Sequence, residues 1–402
     1  MTAAPAPHVF LVAGEDSGDR LGAALVAAIR RRAPNARFSG VGGPQMAAQG
    51  IASLFPLGDL AIIGFAAIPA ALPKILRRIR ETADAVVAAR PDVLVIIDSP
   101  EFTHRVARRV RAQAPTILII DYVCPSVWAW RPGRARAMRG YVDHVLALLP
   151  FEPEAVRKLG GPDCTYVGHP LGERAGRLRP NPDDARRRVA DPPVLLILPG
   201  SRGSEIRRMA GVFGDAAALV AARAGALEVV VPAVPRLGAA VKATVAAWPI
   251  PARVVTDPDE KDAAFRVARA ALAKSGTSTL ELAVAGIPMV AAYKVSLFEE
   301  AVARLLLKVD TVILANLVLG ENVVPQLLQR DLTPQNLAAA LIPLLGDNPE
   351  RRRQIEAFAR LDRLMQIGEA APSDRAAAVV LDCAGFSRQS GRETVASAPP
   401  TA

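Results

Sequence analysis

Apolar positions in this chain follow two alternating rhythms. Short uninterrupted runs, Val9–Ala13, Val93–Ile97, Thr116–Ile120 and Val145–Leu149, have the length and β-branched content of strands covered on both faces. Between them, Leu21–Arg32, Pro73–Arg90 and Phe102–Gln113 repeat their apolar residues at helical spacing. The alternation predicts an α/β fold with a parallel wound sheet. From Gly172 to Pro193 the chain turns rich in Pro, Arg and Asp, and then the same grammar restarts with Val194–Leu198, Leu227–Val231, Arg253–Thr256, Ala270–Ala273 and Met289–Tyr293. The expected organisation is a first domain over 1–171, a linker over 172–193 and a second domain over 194–349. Helices over 350–385 are placed to pack back on the first domain, and 386–402 reads as a flexible tail. Two wound sheets in tandem imply a cleft between the C-terminal ends of their strands, where such folds take ligands.

A length of 402 residues accommodates two such cores, and 51% hydrophobic with 22% charged residues excludes a disordered basic tail. Lys and Arg number 49 against 39 acidic residues, a net charge of +10. Aromatics make up only 4%, too few to interleave stacking rings with the basic residues as a single-strand nucleic-acid binder does. The charge therefore points to phosphate-bearing or anionic-membrane partners and away from nucleic acid. Cys124, Cys164 and Cys383 form no CxxC pair, and the four histidines show no ligand spacing, so no metal is expected. The expected compartment is the reducing cytosol, with no signal peptide, and the apolar stretch from Leu60 to Pro73 is too short to span a bilayer.

Chemistry-bearing residues cluster just after the predicted strands. Gly14-Glu15-Asp16-Ser17-Gly18-Asp19 follows the first strand without the GxGxxG spacing of a dinucleotide fingerprint. Its glycines either permit a tight turn or, with Ser17 and Asp19, contact sugar hydroxyls. Asp98, just past Ile97, is either a general base at the sheet edge or the N-cap of the next helix. Gly200-Ser201-Arg202-Gly203-Ser204-Glu205 offers backbone N–H groups, a helix N-terminus and a guanidinium to a departing diphosphate, and lacks the Lys of a Walker A loop. Ser275-Gly276-Thr277 makes a second anion nest, and Glu281, a turn into the next helix, is either a ribose acceptor or a first-turn charge. Two nests in one half point to a nucleoside diphosphate held by the second domain.

Ser126, Trp128, Trp130 and Arg131 form an aromatic and basic loop that either binds a sugar face and an acceptor phosphate or plugs the sheet edge. His169 follows a predicted strand and either contacts substrate or caps a turn. Leu72, Leu76 and Ile79, with Arg77 and Arg78 beside them, form a helical stripe that is either core or a contact with an anionic bilayer.

Taken in order, the blocks AGEDSGD at 13–19, GVGGPQM at 40–46, PSVWAWR at 125–131, LPFE at 149–152, VGHP at 167–170, LPGSRGSEI at 198–206 and SGTSTLE at 275–281 resemble the lipid-A-disaccharide synthases. The resemblance runs from about Val9 to about Ala384. It implies an inverting glycosyltransferase of two facing Rossmann-like domains, the GT-B type, working without a cofactor or metal. It also implies the substrates: UDP-2,3-diacylglucosamine as donor and 2,3-diacylglucosamine 1-phosphate (lipid X) as acceptor, joined through a β-1,6 bond with release of UDP. By position it assigns Asp98 as base, Arg202 with Gly200–Gly203 to the leaving diphosphate, Ser275, Gly276 and Thr277 to phosphate, Glu281 to ribose, and Asn316 to a polar block near the cleft. Peripheral attachment to the cytoplasmic face of an anionic inner membrane is the expected location, and a homo-oligomer is compatible with the pattern. Where the family commonly reads Asp-Ala-Pro-Asp-Phe-Asn, this chain has Asp98-Ser99-Pro100-Glu101-Phe102-Thr103. The base matches, but no role carries over to Glu101, nor to Glu321-Asn322, where many relatives have Arg-Glu. The alternatives are another UDP-sugar transferase or epimerase of the same fold, or a non-catalytic anionic-lipid-binding protein.

Overall fold

The computed structural model describes residues 6–60, 68–295 and 311–386. Two compact units emerge: unit 1 comprises Met1–Pro170 with Ala370–Ala402, and unit 2 comprises Leu171–Glu369.

Unit 1 is built on six parallel strands, β1 His8–Ala13, β2 Arg37–Val41, β3 Val93–Ile97, β4 Leu118–Tyr122, β5 His144–Ala147 and β6 Asp163–Tyr166, in the order β2-β1-β3-β4-β5-β6. Between them run α1 Asp16–Arg32, α2 Pro44–Ala48, α3 Ile68–Ala89, α4 Pro100–Gln113, α5 Gly133–Met138 and α6 Glu152–Lys158. Alternate residues of each central strand feed opposite cores, which is why the strands read as unbroken apolar runs. Phe10, Val12, Leu94 and Ile96 pack with Val86 of α3 and Val106 and Val110 of α4. On the other face Val9, Leu11, Val93 and Val95 pack with Leu25 and Ile29 of α1 and with Val380 and Leu381 of the closing helix, Pro372–Cys383.

Unit 2 repeats the plan with β7 Val194–Leu198, β8 Glu228–Pro232, β9 Ala252–Val255, β10 Ala270–Lys274, β11 Met289–Tyr293 and β12 Gln326–Leu328, ordered β12-β11-β10-β7-β8-β9. Its helices are α7 Leu171–Leu178, α8 Pro182–Val189, α9 Gly203–Ala224, α10 Gly238–Val245, α11 Pro258–Val267, α12 Thr277–Val284, α13 Leu314–Leu319, α14 Pro334–Leu345, α15 Pro349–Ala359 and α16 Leu361–Leu364. Each sheet has one topological switch point, between β1 and β3 in unit 1 and between β7 and β10 in unit 2. Ligands of open α/β sheets bind outside the strand C-termini at such reversals.

Three expectations change. The Pro- and Arg-rich stretch 172–193 is no linker: it folds as α7 and α8 within unit 2. Asn181 accepts the Asp184 N–H (2.8 Å) to cap α8, and the Arg188 guanidinium donates to the carbonyls of Phe265, Arg266, Ala285 and Gly286 at 3.0–3.3 Å. Those carbonyls lie at helix ends, where they lack intrahelical partners. The 350–385 stretch divides. α15 stays in unit 2, its Gln354 amide bridging both backbone groups of Met289, and the closing helix alone joins unit 1. Finally, β2 and β12, each at a sheet edge, fall where the apolar pattern predicts no strand, because a half-exposed edge strand such as Arg37-Phe38-Ser39 has no continuous apolar run. The tail from 387 onward lies outside the described residues.

Candidate active site

In unit 1 the strand register sets Ala13 beside Ile97 and Ile97 beside Tyr122, so Gly14, Asp98 and Val123 leave the sheet abreast at the β1/β3 switch point. Asp98 and Ser99 both take left-handed backbone conformations, with φ of 54° and 45°. Val123 and Arg131 are left-handed too, so four of the seven non-glycine residues of this kind among the described residues gather at one sheet edge. Such conformations cost of order 1–3 kcal/mol each and concentrate at functional sites. The α4 cap position belongs to Ser99, not Asp98. Asp98 Oδ1 accepts the Ser99 N–H at 2.8 Å and Oδ2 the Ser17 hydroxyl at 3.1 Å, so the half-exposed carboxylate retains lone pairs for a substrate proton. Gly14 is required here: a Cβ would lie 2.5 Å from Ser99 Cβ. Gly18 likewise lies close against the Ile97 carbonyl.

Asp19 does not reach a ligand position. It is buried, and its carboxylate accepts the N–H groups of Gly43 (2.8 Å), Gln45 (2.9 Å) and Met46 (2.9 Å), capping α2. The GPQM block of the sequence is its partner. Trp128 also serves the fold: its Nε1 donates to Glu152 Oε1 at 3.2 Å and its ring packs edge-on against Phe151. Trp130 is half-buried with the Arg131 guanidinium 4.3 Å from its ring centre, and Arg131 pairs with Glu101 at 3.3 Å. Ser126 is exposed, its carbonyl accepting the N–H groups of Ala129 and Trp130. His169 is half-buried after β6, and desolvation pushes its imidazole down to about 4, which keeps it neutral near pH 7.

Sequence reading missed a polar layer beneath this edge. Asp121, next to Ile96 in the register, is 1% exposed and has His104 Nε2 3.1 Å from its Oδ2. His104 Nδ1 meets the Tyr141 hydroxyl at 3.0 Å, and that hydroxyl accepts from Arg108 at 3.2 Å. With Arg108 donating to that oxygen, the tyrosine's own proton can turn toward His104 Nδ1, while Nε2 faces the Asp121 carboxylate. Burial pushes Asp121 up, against the pull of His104 and with the Asp98 charge adding to it. Glu152, accepting N–H bonds from Leu148 and Leu149 besides Trp128, is pushed up to about 7 by its burial. The hidden signal was an acid inside an apolar run, Ile119-Ile120-Asp121-Tyr122, with a histidine two residues past Phe102.

In unit 2 the Gly200 loop and the Lys274–Thr277 turn leave β7 and β10 side by side at that sheet's switch point, since Ala273 pairs with Leu198. Arg202 caps α9 and is exposed, as is Ser201, and Gly203 opens the helix. Glu205, expected to touch substrate, is turned inward: its Oε2 accepts the N–H groups of Ser201 (3.0 Å) and Arg202 (3.3 Å), and its Oε1 lies 3.1 Å from Lys274 Nζ and 3.6 Å from Arg202 Nη1. Gly200, at φ 130°, brings the loop so close that a Cβ would lie 2.6 Å from that carboxylate. Ser275 Oγ is buried with no partner among the described residues, Gly276 precedes α12, and Thr277 is exposed at its first turn. Glu281 lies 3.2 Å from Lys261 Nζ and 3.6 Å from Arg174 Nη1. Asn316 is committed elsewhere. It is 2% exposed, its amide donates to the Val324 carbonyl, and its oxygen accepts from Val323 and Val324, closing the turn after α13.

The basic stripe on α3 also divides. Ile79 is buried in the core, and Arg78 pairs with Asp59 and Glu81 over the Phe55 ring, so neither is a surface contact. Leu72, Leu76 and Arg77 are exposed, and Leu60 to Phe65 lies largely outside the described residues. No described helix is long and apolar enough to cross a membrane.

Comparison with known proteins matches residues 9–380 to the family described as Lipid-A-disaccharide synthetase. The chain is 60% identical over 382 residues to the Lipid-A-disaccharide synthase of Nitrobacter hamburgensis, covering 95% of this chain and 96% of that one. It is 58% identical over 388 residues to the protein of that name in Nitrobacter winogradskyi, covering 96% and 98%. Among solved structures, UDP-GlcNAc 2-epimerase from Neisseria meningitidis bound to UDP-GlcNAc shares the fold at a TM-score of 0.61 and 13% identity, over 93% of this chain and all of that one.

Proposed function

The chain belongs to the lipid-A-disaccharide synthase family, a group of GT-B glycosyltransferases, and from that premise we propose how its own residues make the glycosidic bond. The donor is UDP-2,3-diacylglucosamine and the acceptor 2,3-diacylglucosamine 1-phosphate. An acceptor hydroxyl oxygen attacks C1 of the donor sugar, its proton passes to Asp98, and the C1–O bond to the diphosphate breaks with the electron pair leaving on UDP. Attack opposite the leaving group inverts the anomeric centre. Ser17 and the left-handed Asp98-Ser99 backbone hold the carboxylate in place, and the low barrier to departure comes from N–H groups and cations around the new diphosphate charge. Arg202, Ser201, Gly203, Ser275, Gly276 and Thr277 form that surround, and Glu281, oriented by Lys261 and Arg174, accepts ribose hydroxyls.

The observation that carries this reading is the furnishing of the two switch points: a carboxylate with open lone pairs at one, and converging backbone N–H groups, Arg202 and Lys274 at the other. A proton acceptor and a diphosphate holder are what this transfer requires. Leu72 and Leu76, one helical turn apart and exposed beside Arg77 and Arg80, fit shallow docking on an anionic bilayer. That exposed pair supports our reading of a peripheral protein on the cytoplasmic face of the inner membrane.

The test measures UDP release from the diacylated donor in anionic vesicles. Release that requires the monosaccharide 1-phosphate acceptor, with a disaccharide product by mass, is expected. Release without acceptor, or epimerisation of the donor, would overturn the reading.

A further inference from the structure

The Gly200 loop already holds an anion, and that anion belongs to the protein. Glu205 occupies two backbone N–H groups, lies 3.1 Å from Lys274 and 3.6 Å from Arg202, and lies at the β7/β10 switch point. Two amides, an ammonium and a guanidinium are the partners a phosphate oxygen takes in loops of this kind. Lys274 is the last residue of β10, with its Nζ 4.8 Å from the centre of the Tyr293 ring and 3.4 Å from where a Cβ on Gly276 would stand. It therefore borders both nests, the Gly200 loop on one strand and the Ser275-Gly276 turn on its own. Next to it the Ser275 hydroxyl is buried without a partner among the described residues, a polar group whose burial is costly until something accepts from it.

Resting on the sugar-nucleotide reading above, we infer that Lys274 is a second cation of the diphosphate site and that Glu205 is the internal anion it gives up when a nucleoside diphosphate binds. In the unliganded protein the pair neutralises both charges and keeps the loop shaped. A diphosphate carries more charge than a carboxylate and reaches both nests, so Lys274 turns from Oε1 of Glu205 to a phosphate oxygen while the Ser275 hydroxyl gains an acceptor. Burial raises the cost of charge on Glu205, yet Lys274 and the loop N–H groups hold its carboxyl below the ordinary range, so the anion being displaced is a true one.

Calorimetric binding of UDP and of uridine to the full chain separates the phosphate contribution from that of the base and ribose. Lys274→Met is expected to weaken UDP about tenfold or more and to leave uridine unchanged, with Lys274→Arg restoring most of the loss. Glu205→Gln removes the competing charge while keeping the shape, and is expected to tighten UDP by about threefold or more. Loss of UDP and uridine affinity by the same factor in Lys274→Met, or no gain in Glu205→Gln, would overturn the inference. The glutamine variant decides the matter by itself if the methionine variant does not fold. Wild-type protein that binds neither UDP nor uridine would instead bring down the sugar-nucleotide reading, whereas UDP binding that ignores Lys274 removes only this residue's role.

Discussion

At the β1/β3 reversal Asp98 meets one hydroxyl and one amide, and further acids, Asp121 and Glu152, lie buried in the same unit. At the β7/β10 reversal Glu205 meets two amides, a lysine and an arginine. Both sheets are parallel and reverse once beside their first strand, yet one edge leaves a carboxylate able to take a proton and the other surrounds a carboxylate with groups that favour negative charge. A wound sheet thus fixes where chemistry happens, and the few residues beyond each strand decide its sign.

The sharpest way to break this contrast is to exchange the losses. Asp98→Asn keeps the shape and removes the proton acceptor, and turnover is expected to fall by about 10²–10⁴ with UDP affinity unchanged. Arg202→Ala is expected to lower UDP affinity as well as turnover. If steady-state rates and calorimetry show the two variants losing UDP alike, the division of labour between the reversals is wrong.

Next in size is the buried layer of unit 1. His104→Ala leaves Asp121 charged or protonated without its partner in a site that is 1% exposed, and should cost about 3–5 kcal/mol. Urea unfolding reads this in a Trp248→Phe background, where the remaining Trp128 and Trp130 both report on unit 1. A loss below about 1 kcal/mol would mean that the pair contributes no more than an exposed one.

The smallest effect is a pH slope. Glu152 has its carboxyl raised from 4.5 to about 7. Below pH 4.5 folded and unfolded chains both hold the proton. As pH rises toward 7 the unfolded chain ionises first, so unit 1 loses stability across that window, by up to roughly 3 kcal/mol. Glu152→Gln is expected to flatten the slope seen by the same fluorescence. An unchanged slope would assign it to another group.

The sequence made the central strands and the strand-end loops legible because burial on both faces leaves an unbroken apolar run, and because chemistry in such sheets follows strand ends. It did not reveal what each polar side chain faces. Asp19 and Asn316 look like site residues in one dimension, but in three they satisfy the backbone N–H groups of Gly43–Met46 and of Val323–Val324. Glu205 is at the predicted loop but points into it, and Ile79 shares the period of Leu72 and Leu76 while facing the core. The Asp121–His104 pair joins residues 17 apart through a helix and a strand, a contact that no local pattern announces.

One feature of unit 1 bears on how the protein is made. Ala376, Ala377, Val380 and Leu381 of the closing helix complete the core over Val9, Leu11 and Val95, but they are translated after all of Leu171–Glu369. At ordinary elongation rates that interval lasts on the order of 10–40 s. During it the nascent first sheet carries an uncovered apolar strip while unit 2, contiguous in the chain, is able to finish folding. The unit that starts first is thus completed last, and a ribosome stalled before Pro372 would release a chain with a finished second unit and a sticky first one.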